Sequence, residues 1–201
     1  MKLYYAPGAC SLSPHIVARE AGIKLDLEKV DLGAKKTEKG TDFTTVSAKG
    51  YVPVLELDDG SRLTEGPAIV QYLADKAGNG DLLPKAGTME RYRAIEALNF
   101  ISTELHQGFG PLFNDKLPEA AKAMVLERLG RRLDYMNGHL KGKEYLMGSR
   151  FTVADAYAFT VVSWSKYVGI DLAKWPHIKA FVDRVAARPK VAEAMKAEGL
   201  M

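Results

Sequence analysis

The residue of this chain with the clearest capacity for chemistry is its single cysteine, Cys10. It follows a strand-like segment broken by Pro7-Gly8, and the Ser11 and Pro14 that come after it are typical of a helix start. Backbone N–H groups and the helix dipole favour an anion there, so we expect a thiol pKa below that of free cysteine. Such a thiol could be a nucleophile or a hydrogen-bond donor. The alternative is a small, buried, inert residue, and an internal disulfide is excluded.

Two further elements of the front half could bind an extended, peptide-like ligand. Pro53 opens a strand directly after Val52, and we predict a cis peptide bond that turns the Val52 backbone toward the helix start near Cys10. An extended peptide could pair with that backbone as an added strand. Gly66 leaves backbone N–H groups bare at a helix start, which suits a carboxylate, and Glu65 beside it suits an ammonium group. The alternatives are a plain strand-opening proline and an ordinary helix cap.

A polar stripe on a later helix contains a histidine. At about 100° per residue, Asn99, Thr103 and His106 fall within about 60° of one another, whereas Glu104 faces elsewhere. The histidine could be a general base or a hydrogen-bond anchor for a ligand. The alternative is a structural histidine beside an apolar face, which is the commoner case.

The elements that must position these residues change character near residue 80. Strand-like segments are expected at 2–6, 25–32, 52–57 and 62–64. With helices between and after them they give the order β-α-β and then β-β-α, whereas apolar residues behind the linker recur at helical spacing. We predict a mixed four-stranded sheet in an α/β domain over 1–79, a linker over 80–87 and an all-α helical bundle domain over 88–201. A β-α-β-β-β-α unit with a cysteine at this place resembles thioredoxin and glutaredoxin, although Ser13 replaces the second cysteine of C-x-x-C.

One helix of the second half should form its buried centre. Thr152 and Asp155 make a capping box, and the segment that follows is apolar on nearly every side as far as Val168. We therefore expect Asp155 to be structural although it is a lone charge in an apolar stretch. Four aromatic residues are available to line a cleft for a hydrophobic substrate: Phe113, Tyr157, Trp164 and Tyr167.

The composition limits the other classes of function. The formal net charge is +3, and the only tight basic cluster, at Lys35, Lys36 and Lys39, has no aromatic residues among it, so we expect no nucleic-acid partner. The N-terminus has no apolar stretch long enough for a signal peptide, and the most apolar run, 153–162, is too short to span a bilayer. We expect a soluble, cytoplasmic protein with no membrane partner and no metal.

Together these features resemble the glutathione transferase family, and more narrowly its bacterial beta class. The resemblance covers nearly the whole chain and rests on YYAPGACSLSPHI, GYVPVLELDDG, LTEGPAIVQYLAD, LNFISTELHQGFGPLF, FTVADAY and the closing AEGL. It implies a homodimer that binds glutathione as co-substrate against the front domain and conjugates its thiolate to a hydrophobic electrophile. One departure is Tyr51, which stands where the family usually has Gln before Val-Pro.

The resemblance also implies the roles of individual residues. Cys10 would lie near the glutathione sulfur, Val52 would pair with its cysteinyl backbone, and Glu65 with Gly66 would hold the γ-glutamyl end. Cys10 and His106 are the implied catalytic residues, and Glu104 is among those that could reach the partner subunit. The implied glutathione-binding set is Cys10, Lys35, Val52, Pro53, Glu65, Gly66, Asn99, Thr103, Glu104 and His106.

Two other functions remain open on the sequence alone. One is a monothiol, glutaredoxin-like thiol–disulfide oxidoreductase that uses Cys10 as its nucleophile. The other is a transferase-like binding protein with weak or no catalysis. Dehalogenase, peroxidase or thiol–disulfide side activities are also compatible with the residues.

Overall fold

The computed structural model describes residues 1–78 and 80–201, which form two compact units. The first unit comprises Met1–Leu82 together with Arg188–Met201, and the second comprises Leu83–Ala187. The predicted first boundary, at Asn79, lies outside the described residues. The division falls inside the predicted linker, but the C-terminal residues group with the first unit and not with the helical one.

The first unit contains a mixed sheet with helices between its strands. In chain order its elements are β1 (Lys2–Tyr5), α1 (Leu12–Glu20), β2 (Asp26–Asp31), β3 (Lys36–Thr37), α2 (Phe43–Val46), β4 (Val54–Glu56), β5 (Arg62–Thr64) and α3 (Gly66–Ala77). The strand order is β3-β2-β1-β4-β5. The β1 strand runs parallel to β2 and antiparallel to β4, and the two outer pairs are antiparallel.

The sheet of the structure has five strands, one more than the four that the sequence predicted. The two residues of β3 pair with the end of β2, with Val30 opposite Thr37, and make the sheet five-stranded. A two-residue strand is too short to leave a period of two in the sequence, and the polar stretch around it gave no other sign.

Alternation along β1 sends side chains to opposite faces of the sheet. Leu3, which pairs with Leu27 and Leu55, is fully buried. Tyr4 belongs to a buried cluster with Val52 and Phe43, and its ring centroid lies 5.9 Å from that of Phe43. The Val52 side chain is therefore anchored in the core, and this anchors the backbone that a ligand would contact.

The second unit is helical. Its elements are α4 (Met89–Phe100), a π-helix (Ile101–His106), α5 (Gln107–Phe109), a 3₁₀-helix (Gly110–Phe113), α6 (Glu119–Leu140), α7 (Val153–Val162), two further 3₁₀-helices (Ser163–Tyr167 and Leu172–Lys174) and α8 (Pro176–Ala186). Every residue of α7 is buried, as its apolar sequence predicted. The α-helix ends at Val162 and not at Val168, because the chain tightens into a 3₁₀-helix. Within 88–201 the β-type contact is an isolated bridge between Tyr145 and Gly148.

The C-terminal segment completes the first unit. Helix α9 (Pro189–Ala197) packs against α1 and buries Val191 and Ala194 completely. The guanidinium group of Arg188 donates two hydrogen bonds to the carboxylate of Glu20, at 2.7 and 2.9 Å. These contacts explain why residues 188–201 leave the predicted helical domain. None of the helices in the described residues combines the length and apolar character of a membrane span.

Candidate active site

Cys10 lies on the loop that joins β1 to α1. The hydroxyl of Ser11 closes this loop, since it accepts a hydrogen bond from the Ala6 N–H at 3.2 Å and donates one to the Ala6 carbonyl at 3.1 Å. The Ser11 side chain therefore makes no capping hydrogen bond, although Ser11 stands at the N-cap position of α1. The Ser13 hydroxyl donates to the Cys10 carbonyl at 2.9 Å, which ties the cysteine to the first turn of the helix.

The thiol of Cys10 points at a backbone carbonyl. Its Sγ atom lies 3.3 Å from the Val52 oxygen and can donate its hydrogen there. Burial raises the pKa of Cys10 most strongly, the backbone N–H groups of Cys10 and Ser11 lower it by less, and the Glu65 carboxylate adds a small increase, so that the pKa is raised to about 11. The prediction of a depressed pKa is therefore wrong, because desolvation outweighs the helix start. The thiol is protonated at neutral pH.

The Val52–Pro53 peptide bond is cis, as predicted. The Val52 carbonyl faces the Cys10 thiol. Across 1–78 and 80–201 its N–H group donates to no backbone carbonyl. The backbone of this residue thus lies beside the cysteine, where the sequence predicted a ligand-binding edge.

The start of α3 reaches the same place. A Cβ atom at Gly66 would lie 3.9 Å from the Cγ of Pro53 and 4.0 Å from the hydroxyl of Ser13, so three elements converge here. Glu65 before it has φ of 71°, a conformation that is uncommon for a residue with a side chain. Such outliers persist where the surroundings hold them, often at functional sites.

Two neighbouring side chains hold the carboxylate of Glu65. The Tyr51 hydroxyl donates to its Oε1 atom at 3.0 Å, and the Lys49 ammonium forms an ion pair with the same atom. Lys35 belongs to the same region, because its ammonium donates to the Gly50 carbonyl at 2.8 Å, just before Tyr51. The carboxylate of Glu65 and the ammonium groups of Lys49 and Lys35 therefore lie around the loop of residues 49–51 in the first unit.

In the second unit, His106 sits in an aromatic cluster. Its Nδ1 atom and the Tyr157 hydroxyl are joined by a hydrogen bond of 2.6 Å, and its ring lies edge-on to that of Trp164, with centroids 4.8 Å apart. Phe113, which is half exposed, contacts Trp164 at 5.8 Å between centroids. The ring of Tyr167 is exposed and lies 4.8 Å from the Lys166 ammonium. The aromatic cluster around the histidine thus contains three of the four predicted aromatic residues.

The predicted polar stripe is interrupted by the π-helix. The Thr103 hydroxyl donates to the Asn99 carbonyl at 3.1 Å, which keeps these two residues together. Glu104 instead forms ion pairs with Arg132 and Arg128 of α6. Glu104, which faces away from the stripe, therefore pairs within its own chain. A π-helix turns less per residue than an α-helix, so an angular projection at a constant 100° misplaces residues along it.

Comparison with known proteins identifies the family. The model of the glutathione S-transferase N-terminal domain matches residues 8–76, and that of the C-terminal domain matches residues 100–189. Glutathione S-transferase GstA of Escherichia coli O157:H7 is 50% identical over 200 residues, which cover 100% of both chains. The chain belongs to the glutathione S-transferase family.

Solved structures of bacterial glutathione S-transferases are similar to this chain over its whole length. The transferase is 46% identical to the bacterial beta class glutathione S-transferase of Sphingomonas chungbukensis, with a TM-score of 0.96 over 100% of both chains. It is 44% identical to a sphingomonad glutathione S-transferase solved in complex with glutathione, also with a TM-score of 0.96 and complete coverage of both chains. The resemblance to the beta class, the two-part fold and the enzyme class predicted from the sequence are confirmed.

Several residues beside the candidate site residues of each unit were not predicted from the sequence. Tyr157 was predicted only as an apolar wall, whereas its hydroxyl is the hydrogen-bond partner of His106. Lys49 was not predicted at all, and Tyr51 was noted only as a departure from the family pattern. The placement of both beside Glu65 depends on a loop of irregular structure, in which spacing carries no information about direction. Within the described residues, no group of three or more His, Cys, Asp or Glu side chains could hold a metal ion.

A separate crevice of about 300 Å³ opens in the second unit of the transferase. It lies between α4, α6 and the segment 143–148, and its walls include Phe100, Tyr135 and Met136. None of the four aromatic residues predicted for the hydrophobic substrate lines it. The crevice and the cluster around His106 are therefore different features of this unit.

Proposed function

We propose that this transferase conjugates glutathione to hydrophobic electrophiles and that Cys10 assists as a neutral thiol donor. The observation that carries the proposal is the 3.3 Å contact in which the Cys10 thiol can donate to the Val52 carbonyl, and burial, which raises the pKa of this thiol to about 11, favours the same protonated form. The sphingomonad relative solved with glutathione supports the choice of co-substrate. The proposed electrophile is a carbon centre that carries a leaving group such as a halide.

A protonated Cys10 resolves an electrostatic conflict. The sulfur of glutathione must be a thiolate to attack, and a second thiolate beside it would repel it. A neutral S–H can turn from the Val52 oxygen and donate its hydrogen to the glutathione sulfur, which lowers the pKa of that thiol. The thiolate then attacks with its electron pair, the S–C bond forms, and the leaving group departs with the pair from the broken bond.

The neighbouring residues suit the remainder of the tripeptide. We assign the γ-glutamyl ammonium to the carboxylate of Glu65 and the adjoining carboxylate to the start of α3 at Gly66. The Val52 backbone would pair with the cysteinyl residue, and the ammonium of Lys35 would meet a further anionic group. The assignment of Asn99, Thr103, Glu104 and His106 to the same ligand remains a prediction. We assign the hydrophobic substrate to Phe113, Trp164 and Tyr157.

A homodimer is part of the proposal. Helices α4 and α6 expose several large apolar side chains: Met89, Tyr92, Met124 and Tyr135. Exposed apolar groups of this kind mark interaction surfaces when they lie together. Light scattering after size exclusion should give twice the mass of one chain, and a monomer would contradict this part. The expected cytoplasmic location remains a prediction.

The oxidoreductase alternative is disfavoured by the same thiol. An attacking cysteine works as a thiolate, and burial opposes that form of Cys10. The test compares wild type with Cys10→Ala in two assays, conjugation of glutathione to 1-chloro-2,4-dinitrobenzene and glutathione-dependent reduction of a small disulfide. We expect conjugation by wild type and weakened but measurable conjugation by the variant. Disulfide reduction without conjugation in wild type would refute the proposal.

A further inference from the structure

Two buried side chains outside the proposed glutathione set connect the C-terminus to the loop that carries Cys10. Glu198 directly follows α9, and His15 lies on α1. The Nδ1 atom of His15 is 2.9 Å from the Oε1 atom of Glu198, and the Gly8 N–H donates to Oε2 of the same carboxylate at 3.0 Å. The side chains of His15 and Glu198 are 2% and 0% exposed.

Arg19 determines which nitrogen of the imidazole carries the hydrogen. Its Nε–H donates to Nε2 of His15 at 3.3 Å, so Nε2 is an acceptor. Nδ1 therefore carries the hydrogen of the neutral ring and donates it to Glu198. Both carboxylate oxygens of Glu198 accept hydrogen bonds, one from His15 and one from Gly8. A buried carboxylate without donors is costly, so removal of either hydrogen bond should destabilise this arrangement.

The loop that Glu198 holds also has local anchors, because the Ala9 N–H donates to the Ala6 carbonyl at 3.1 Å and the Leu12 N–H donates to the Ala9 carbonyl at 2.9 Å. Gly8 has φ of 70° and no side chain, so only its backbone can be held. On its C-terminal side the loop is closed by the bonds of Ser11 to Ala6. On its N-terminal side the bond to Glu198 comes from a residue that is 190 positions away in the chain. Together these anchors define the conformation in which the Cys10 thiol faces Val52.

We propose that Glu198 is a positioning residue for Cys10 and that His15 orients it. The C-terminal segment is then part of the thiol site, because its last acidic side chain sets the conformation of residues 7–10. The link from this thiol to glutathione rests on the proposed function. The link from Glu198 to the exposure and direction of the thiol does not depend on it.

Conservative variants can separate this role from simple packing. Glu198→Gln has one oxygen, so its amide group must face either the Gly8 N–H or the His15 Nδ1–H with a donor. His15→Asn keeps an amide N–H where Nδ1 stands, whereas His15→Ala removes the donor. The control is Asp183→Asn on α8, an exposed carboxylate that pairs with Lys179 and has no contact with Arg19, His15 or Glu198.

The experiment measures three quantities for each variant, at a temperature where all of them are folded. These are the alkylation rate of Cys10 without glutathione, the KM for glutathione against kcat, and the melting temperature. Loss of a hydrogen bond to a charged group corresponds to about tenfold. We expect Glu198→Gln and His15→Ala to alkylate on the order of tenfold faster and to show a raised KM. His15→Asn should stay near wild type, and Asp183→Asn should be unchanged.

A lower melting temperature with wild-type alkylation and KM in both Glu198→Gln and His15→Ala would overturn the proposal, because Glu198 would then only stabilise the fold. If Glu198→Gln does not fold, His15→Ala decides alone, since it keeps the carboxylate. Failure of the proposed function would look different. Wild type would then not conjugate glutathione, whereas the alkylation rates would still separate the variants.

Discussion

Replacement of Asp155 by alanine tests how the second unit is held together. Its carboxylate is completely buried and accepts hydrogen bonds from the Leu146 N–H at 2.7 Å, the Thr152 N–H at 2.8 Å and the Thr152 hydroxyl at 2.9 Å. Each buried donor left without a partner costs about 1–3 kcal/mol. The hydroxyl can rotate toward another acceptor, which leaves two backbone donors. We therefore expect Asp155→Ala to lower the free energy of unfolding by about 2–6 kcal/mol, more than the roughly 0.5–2 kcal/mol of a helix cap alone.

Denaturant unfolding at pH 7 and one fixed protein concentration measures this loss. Asp155→Asn keeps an oxygen for Leu146 but turns an amide toward the Thr152 N–H, so its loss should be intermediate. The matched control is Asp171→Ala, which removes an exposed cap that accepts from the Ala173 N–H at 2.9 Å, and should cost about 1 kcal/mol. A loss below about 1 kcal/mol for Asp155→Ala would refute the reasoning, since three buried hydrogen bonds would then contribute no more than one exposed cap.

Three other predictions follow from titration and competition. Burial raises the pKa of Asp155 from 3.8 to about 6. The part of the stability that depends on its protonation is therefore fully present below about pH 4 and falls by about 3 kcal/mol as the pH rises through 6, while the hydrogen bonds to its carboxylate remain. Asp155→Asn should lack this loss, and parallel pH profiles would contradict the assignment. With a pKa of about 11 for Cys10 against roughly 8.5 for free cysteine, its thiolate fraction and alkylation rate at pH 7 should be about 300-fold lower. An equal rate would show that burial does not control this thiol. Tyr51→Phe removes a competing donor from Glu65 and should tighten glutathione binding about threefold by calorimetry, whereas weaker binding would mean that Tyr51 orients the carboxylate.

Local patterns were sufficient for much of the fold. The capping box of Asp155 and the helix start at Gly66 each depend on a few consecutive residues, and both lie where the sequence predicted them. The strand pattern and the change to helical spacing near residue 80 likewise predicted the mixed sheet and the helical unit. These features need no knowledge of distant contacts, which is why the sequence revealed them.

Features that depend on distant contacts could not be predicted. The sign of the Cys10 pKa shift is set by burial against parts of the chain such as Val52, 42 positions away, and the helix-start argument omitted that burial. The π-helix at 101–106 has the same residue types as an ordinary helix. The role of Glu198 requires knowing that α9 packs against α1. The closing AEGL was noted as a family motif, but nothing in its composition indicated a partner at Gly8.

The pH titration of bound glutathione tests the central claim most directly. The ultraviolet absorbance of the thiolate can be followed in wild type and in Cys10→Ala, each saturated with glutathione. If Cys10 is a neutral donor, the bound thiol of wild type should ionise at a lower pH than free glutathione. The variant should then need a pH higher by up to about one unit, the equivalent of one hydrogen bond. Identical titration curves, or a mixed disulfide between Cys10 and glutathione in the mass spectrum of the working enzyme, would contradict the account.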